Sequence, residues 1–257
     1  MKYLLFILAF LSIIGNAYAE DKGEKPVEEI QEKTLNEQFI GMLEQDPKLD
    51  AVKQMVDAGA DVNYRAGDWA RTPLGTLLFF TSDDTESDAL YRMNNIEENY
   101  KIAEYLIAKG ADVKIGDIVA EACSFCDPEN RLKVVKLLVE NGADVNYKDE
   151  MGETPLFNIV SNGIDNYIVV QFLLEHGAMV NVSNIYGVTP LMKAVSHNQP
   201  QSVELMIKAG ADVNAKDVDG HTALEYAKRK LSTIGDVPYK TVFEKIIQLL
   251  KNAGAKE

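Results

Sequence analysis

A six-residue sequence motif, the first phrase, recurs along most of this 257-residue chain. Its recurrence restricts the architectures that the chain can adopt. The phrase reads Ala-Gly-Ala-Asp-Val-Asn at residues 58–63 and 209–214, with close variants between them. A period near 33 residues indicates stacked supersecondary units, because one such unit cannot bury its apolar face alone. The intervals between the glycines of the phrase are 51, 32, 35, 33 and 44 residues, for Gly59, Gly110, Gly142, Gly177, Gly210 and Gly254.

A second phrase, Thr-Pro-Leu or a variant of it, recurs in phase with the first. It begins eight residues after Asn146, Asn181 and Asn214, and nine after Asn63. A threonine hydroxyl can accept a backbone N–H at the start of a helix, and the proline after it suits the first helical position. Each Thr-Pro-Leu therefore predicts the start of a helix, and each glycine of the first phrase predicts the end of a second helix. The turn sequences at 149–152, 184–187 and 217–220 predict projecting β-turns between successive pairs of helices.

Together the two phrases resemble the ankyrin repeat, whose period is about 33 residues and whose signature begins Thr-Pro-Leu. The resemblance spans roughly residues 34–257. It implies an all-α repeat fold, an ankyrin solenoid of about six helix-turn-helix repeats with β-turn fingers. The six helix pairs are expected to start near Thr34, Thr72, Asp117, Thr154, Thr189 and Thr222.

Irregular intervals predict where the chain departs from this pattern. Asp117 follows Lys114 by only three residues, so the third finger is expected to be absent, and a longer connection is expected from Cys126 to Asn130. Insertions are expected near residues 81–99 and 230–241. Acidic residues alternate at 84, 86 and 88 as in a calcium loop, but Ala89 and Asn95 replace the glycine and glutamate that an EF-hand needs. A solvated loop is therefore favoured over a metal site, and we expect neither metal nor cofactor.

The first nineteen residues have the pattern of a secretory signal peptide. Lys2 precedes an apolar run at residues 4–14, and Ala17-Tyr18-Ala19 forms a small-residue cleavage site. A membrane anchor is the alternative, but the run is shorter than the roughly 20 apolar residues that cross a bilayer. We expect a disordered leader at residues 20–33, an exported protein with no membrane insertion after cleavage, and a periplasmic destination, with secretion as the alternative.

Charge and cysteine content narrow the possible partners. Removing residues 1–19 removes one basic side chain and no acidic one, leaving 25 basic and 40 acidic side chains and a net charge of −15. Such a charge disfavours nucleic acid and anionic lipid as partners. The two cysteines, Cys123 and Cys126, form a C-x-x-C pair with three interpretations: a local structural disulfide, two unpaired thiols or a redox pair. The three histidines show no catalytic pattern, so no enzyme is expected, although a site hidden in the 81–99 insertion stays open.

The ankyrin resemblance implies a protein partner, of unknown identity, held by the fingers and the inner helices of a chain that is itself monomeric. Its role would be to hold or protect that partner, or to act as a secreted effector or inhibitor. Apolar side chains at exposed fingertips are typical of an interface centre, although Trp69 and Tyr186 could instead cover neighbouring turns. The implied contact residues are Trp69, Arg71, Met151, Glu153, Phe157, Ile185, Tyr186, Val188, Met192, Asp219 and His221.

Overall fold

The computed structural model describes residues 33–45, 47–65, 71–79, 96–114, 117–123, 128–161, 163–233 and 239–256. Within these residues the chain forms twelve α-helices in six consecutive pairs. The first helices of the pairs are α1 Leu35–Leu43, α3 Pro73–Phe79, α5 Ile118–Cys123, α7 Pro155–Ile159, α9 Pro190–Ser196 and α11 Ala223–Thr233. The second helices are α2 Leu49–Asp57, α4 Ile96–Ala108, α6 Pro128–Glu140, α8 Tyr167–Glu175, α10 Pro200–Lys208 and α12 Tyr239–Asn252.

The helices form two layers that run along the whole stack. Each first helix packs against the first helix of the next pair, and each second helix packs against the next second helix. The apolar core lies between the layers, and the leucine of the Thr-Pro-Leu phrase is buried in each repeat that has it. Burying such a leucine side chain is worth about 1.5–3 kcal/mol, so stacking supplies stability that a single pair lacks.

The predicted helix starts are confirmed by hydrogen bonds to threonine hydroxyls. Thr34 accepts the N–H of Glu37 at 3.3 Å in a capping box, and Thr72 accepts that of Gly75 at 3.1 Å. Thr154, Thr189 and Thr222 cap α7, α9 and α11 in the same way. Each cap satisfies a backbone donor that the helix leaves unpaired. The third pair starts after Asp117, as expected, with α5 beginning at Ile118.

The glycines of the first phrase end the second helices in the predicted way. All six have a positive φ, from 86° at Gly210 to 101° at Gly59. Residues other than glycine rarely adopt such a backbone conformation. The residue after each of these glycines donates its N–H back to a carbonyl in the last turn of the helix, as Ala178 does to Leu173 at 2.9 Å. The chain therefore turns back onto the end of each second helix at the glycine.

Three predicted boundaries need correction. Residues 96–99, assigned to the first insertion, belong to α4. The second insertion is also narrower, because α11 continues to Thr233 and α12 begins at Tyr239, so most of the extra residues lengthen these two helices. The connection predicted to reach Asn130 ends earlier, since Pro128 begins α6 at a position that proline favours.

Several predictions fall outside the described residues. These are the signal peptide at 1–19, the leader up to residue 32, residues 81–95 of the first insertion and residues 115–116 of the shortened third finger. Among the described residues, no helix is long and apolar enough to cross a membrane.

Candidate interaction surface

The fingers that precede α7, α9 and α11 share one hydrogen-bonding scheme. Each begins with an Asp or Asn whose Oδ1 atom accepts two backbone N–H groups of the same finger. Asp149 accepts those of Met151 and Glu153 at 2.9 and 2.8 Å. Asn184 and Asp217 repeat the pattern with bonds of 2.8–3.1 Å. Such bonds close the turn without help from a neighbouring repeat.

Neighbouring fingers are also bonded to each other through the backbone. Ile185 donates its N–H to the carbonyl oxygen of Met151 at 2.9 Å, and Val218 donates to that of Tyr186 at 2.9 Å. This close approach leaves no room for a side chain at Gly187, where a Cβ would lie 3.0 Å from the Cα of Asp217. The three fingers therefore form one continuous ribbon.

Apolar side chains stand exposed at the tips of this ribbon. We call them the fingertip row: Met151 is 38 % exposed, Ile185 58 %, Tyr186 52 % and Val218 69 %. Exposing several large apolar side chains to water together is unfavourable in free energy. A contiguous exposed apolar patch is therefore typical of an interaction site. The structure thus places Met151, Ile185 and Tyr186, predicted as contact residues, on neighbouring fingers, and Val218 is the most exposed side chain of the row.

Titratable groups of the last finger form a compact cluster. The carboxylates of Asp217 and Asp219 and the ring of His221 offer ligand atoms within 4.8 Å of one another. Burial would raise the pKa of Asp217, but hydrogen bonds from Tyr226 and from the N–H groups of His221 and Asp219 lower it. Burial and the same carboxylate raise the pKa of Tyr226 to about 12. Both oxygens of Asp217 are thus engaged in holding the finger against α11, which explains the cluster without a metal.

Comparisons with known proteins agree with this architecture. A family model described as ankyrin repeats in three copies matches residues 121–217. The described helices have the fold of an ankyrin solenoid. A crystal structure of an ankyrin repeat domain from Acinetobacter baumannii AYE is similar, with a TM-score of 0.64 and 25% sequence identity. The match covers 85% of this chain and 98% of that one. A search of curated proteins gives no match.

Ankyrin repeats are generally protein-binding modules and typically non-catalytic scaffolds, so the surface of the solenoid is where function is expected. Each described finger leads directly into a first helix, and successive first helices pack against one another along the stack.

Two of the predicted contact residues are wrongly placed. Phe157 and Met192 are buried, with exposures of 2 % and 1 %, and cannot present a surface to a partner. Each is the third residue of its first helix, and helical side chains lean back toward the N-terminus, so these two side chains point toward the start of the helix. The Met192 sulfur accepts the N–H of Thr189 at 3.4 Å, and the Lys193 ammonium lies 5.5 Å from the centre of the Phe157 ring.

Other predicted contact residues have structural roles that the spacing did not show. Glu153 is half-buried, and its Oε1 atom accepts a hydrogen bond from the Asn184 side chain of the next finger at 3.0 Å. Val188 is half-buried and packs against the core. His221 is half-buried, with its Nδ1 atom 3.6 Å from Asp217, whereas Asp219 is exposed. Their contribution to binding stays a prediction.

We number the helix pairs as repeats 1 to 6, and the two remaining predicted contact residues precede α3 of repeat 2. Trp69 lies outside the described residues. Arg71 is half-buried and interacts electrostatically with Glu121 of α5. Burial, reinforced by Asp117, raises the pKa of Glu121 to about 7, and Arg71 opposes this. Sequence reasoning missed Glu121, because nothing in its local sequence distinguishes it from a solvent-exposed helical glutamate.

The cysteine pair is only partly within the described residues. Cys123 is fully buried at the end of α5, and burial raises the pKa of its thiol to about 12. A thiol with a raised pKa rarely forms the thiolate that exchange chemistry needs, which weighs against a redox role. Cys126 lies outside the described residues, so the proposed disulfide stays a prediction.

A second group of exposed apolar side chains was also missed. Ile164, Tyr167 and Ile168 are exposed at the connection between α7 and α8, and we call them the connection patch. The connection follows α7 whereas the finger precedes it, so the patch and the fingertip row lie at opposite ends of that helix. Three apolar residues within the five positions 164–168 are the sequence signal that could have indicated it.

Proposed function

We propose that this chain is a non-catalytic module that binds a partner protein outside the cytoplasm through the fingertip row. The observation that carries the proposal is the exposure of four large apolar side chains on three fingers that are bonded into one ribbon. Exposed apolar side chains gain free energy when a partner covers them, at roughly 25 cal/mol per Å² removed from water.

The rigidity of the ribbon supports binding. Every finger is closed by two bonds to its first side chain, and both neighbouring pairs of fingers are bonded through the backbone. A surface that is already ordered loses little conformational entropy on association. The fingertip row is therefore suited to bind as a preformed surface.

The charge around the row supports a partner of particular chemistry. Residues 147–154, 182–189 and 215–222 carry two basic and five acidic side chains, and the whole chain carries a net charge of −14. The partner would present an apolar patch with basic side chains at its margin. Association would then become slower as ionic strength rises, because salt screens the attraction between the two proteins.

The proposal also includes export of the chain from the cytoplasm. Residues 1–19 have the composition of a signal peptide, and cleavage after Ala19 would release residues 20–257. We place the partner in a bacterial periplasm, where the chain would hold or protect it. A secreted effector or inhibitor that binds a foreign protein would use the same surface, and only its destination would differ.

Site-specific photocrosslinking tests the proposal. A photoreactive phenylalanine analogue would replace Tyr186 in one variant and Ile168 of the connection patch in the other. We expect the analogue at position 186 to crosslink a discrete protein in cells of the source organism, and the one at position 168 to give none. Equal crosslinking from both positions, or from position 168 alone, would overturn the choice of surface.

A further inference from the structure

Asparagine side chains bridge neighbouring repeats in a regular way. Asn146 donates its Nδ2 hydrogen to the carbonyl of Gly177 at 2.9 Å, and its Oδ1 atom accepts the N–H of Met179 at 2.8 Å. We call this pair of bonds a rung. Equivalent rungs join Asn63 to Gly110 and Asp112, Asn181 to Gly210 and Asp212, and Asn214 to Gly254 and Lys256.

The boundary between repeats 2 and 3 has no such rung among the described residues. Lys114 occupies the asparagine position there, opposite Gly142 and Asp144. An ammonium group donates hydrogen bonds but accepts none, so it cannot serve the N–H of Asp144. The Lys114 side chain instead lies beside Gly142, and its Cε atom is 3.7 Å from the position that a Cβ on this glycine would occupy.

The sequence predicts a shorter connection before α5 at this boundary. Neighbouring fingers are bonded between repeats 4 and 5 and between repeats 5 and 6. Eight residues lead from Asn146 to Thr154, but only three lead from Lys114 to Asp117. A segment five residues shorter is too short to form a finger of the same kind.

A carboxyl group further weakens the same boundary. Glu121 of α5 lies against α3, where a Cβ on Gly75 would be 3.9 Å from its Oε2 atom. Asp117 and Arg71 are the charged groups that act on it, α3 and α7 contribute no titratable side chain, and α6 contributes Arg131 beside Cys123. The raised pKa of Glu121 means that ionisation near neutral pH places a charge between the two first helices.

We propose that the boundary between α3–α4 and α5–α6 is a seam, at which repeats 1 and 2 separate from repeats 3 to 6 before the whole solenoid unfolds. In a repeat protein, stability is a sum of repeat and nearest-neighbour terms, so the weakest interface decides where the stack divides. The four repeats beyond the seam contain all three fingers of the fingertip row. The seam is therefore a conformational device that leaves that surface intact, and it stands independently of the proposed function.

Hydrogen exchange of the full chain tests the seam through Lys114. The Lys114→Asn variant supplies the missing rung, while Lys114→Gln removes the charge and carries an amide one methylene too far from the backbone. In the parent, we expect the amides of α1, α2 and α4 to exchange together, at least tenfold faster than those of α8 and α10. Lys114→Asn should slow exchange in α1, α2 and α4 as a block, and Lys114→Gln should not.

A reciprocal variant separates the seam from ordinary fraying of terminal repeats. Asn181→Lys removes the rung between repeats 4 and 5 and should create a second step in exchange rate at that boundary. The seam is overturned if exchange declines smoothly from the N-terminus in the parent, if the two Lys114 variants behave alike, or if Asn181→Lys produces no step.

Discussion

The Nδ2 atom of Asn146 lies 2.9 Å from the carbonyl oxygen of Gly177, one repeat further along the solenoid. Its Oδ1 atom also accepts a hydrogen bond from the N–H of Met179. The side chain thus takes the place of water at two backbone groups in the loop of the next repeat. Four asparagines form such rungs among the described residues. The recurring phrase therefore shapes each repeat and also joins it to the next.

Loss of a rung should destabilise the stack measurably. Asn146→Ala removes two hydrogen bonds, each worth about 0.5–1.5 kcal/mol, so we expect a loss of about 1–3 kcal/mol in urea unfolding. Asn141→Ala is the control, because Asn141 bonds only to Leu137 of its own helix, and it should cost less. Equal losses would show that the bonds between repeats add nothing beyond helix capping.

The ribbon of fingers should depend on the absence of a side chain at Gly187. Gly187→Ala forces a Cβ to 3.0 Å from the Asp217 backbone and imposes a left-handed φ of 73° on alanine. Gly220 has a φ of 85° but open space around its Cα. Gly220→Ala should cost about 1 kcal/mol, and Gly187→Ala at least about 1 kcal/mol more. Identical unfolding free energies would mean that the fingers do not pack closely in solution.

The pH dependence of stability should carry the signature of Glu121. Its pKa is about 7 in the folded chain, against an ordinary glutamate value of 4.5, so the folded state binds more protons between these values. This stabilisation is present in full below about pH 4.5 and is lost as the pH rises through 7. In the parent, the free energy of unfolding in urea should fall by on the order of 1 kcal/mol between pH 5 and pH 8. In Glu121→Gln this fall should be absent. A parent and variant with the same pH dependence would contradict this assignment.

Tyr186 should matter little to folding. Its side chain is half in water, so Tyr186→Ala should change the free energy of unfolding by less than about 0.5–1 kcal/mol. Leu191→Ala in the core, by contrast, should cost about 2–5 kcal/mol. Thermal unfolding of the two variants gives the comparison, and a loss at Tyr186 as large as that at Leu191 would place the tyrosine in the fold rather than at a binding surface.

Sequence reasoning predicted the features that local chemistry decides. Threonine caps, closing glycines and turn sequences each act within a few residues, so Thr154, Gly177 and the finger at 184–187 could be assigned from spacing. Boundaries were less secure where extra residues occur, because a longer interval can lengthen a helix as readily as a loop. The extension of α11 to Thr233 is such a case.

Features that depend on the neighbouring repeat could not be predicted. Asn146 looks like an ordinary turn residue, and its partner lies 31 residues away in the chain. From the spacing of residues in the sequence, the helix face that carries Phe157 and Met192 could be either buried or exposed. Their exposures in the folded chain, 2 % and 1 %, show that they are buried. The exposed tips were predictable because a finger has no neighbour on its outer side.

Partner capture tests the central claim most directly. Three proteins spanning residues 20–257 would each be incubated with the envelope fraction of the source organism: the parent, a Met151, Ile185 and Tyr186 triple-alanine variant, and a triple-alanine variant of the connection patch. We predict that the parent and the connection-patch variant retain the same protein and that the fingertip variant loses it. Equal retention by all three chains, or loss only from the connection-patch variant, would contradict a binding surface on the fingers.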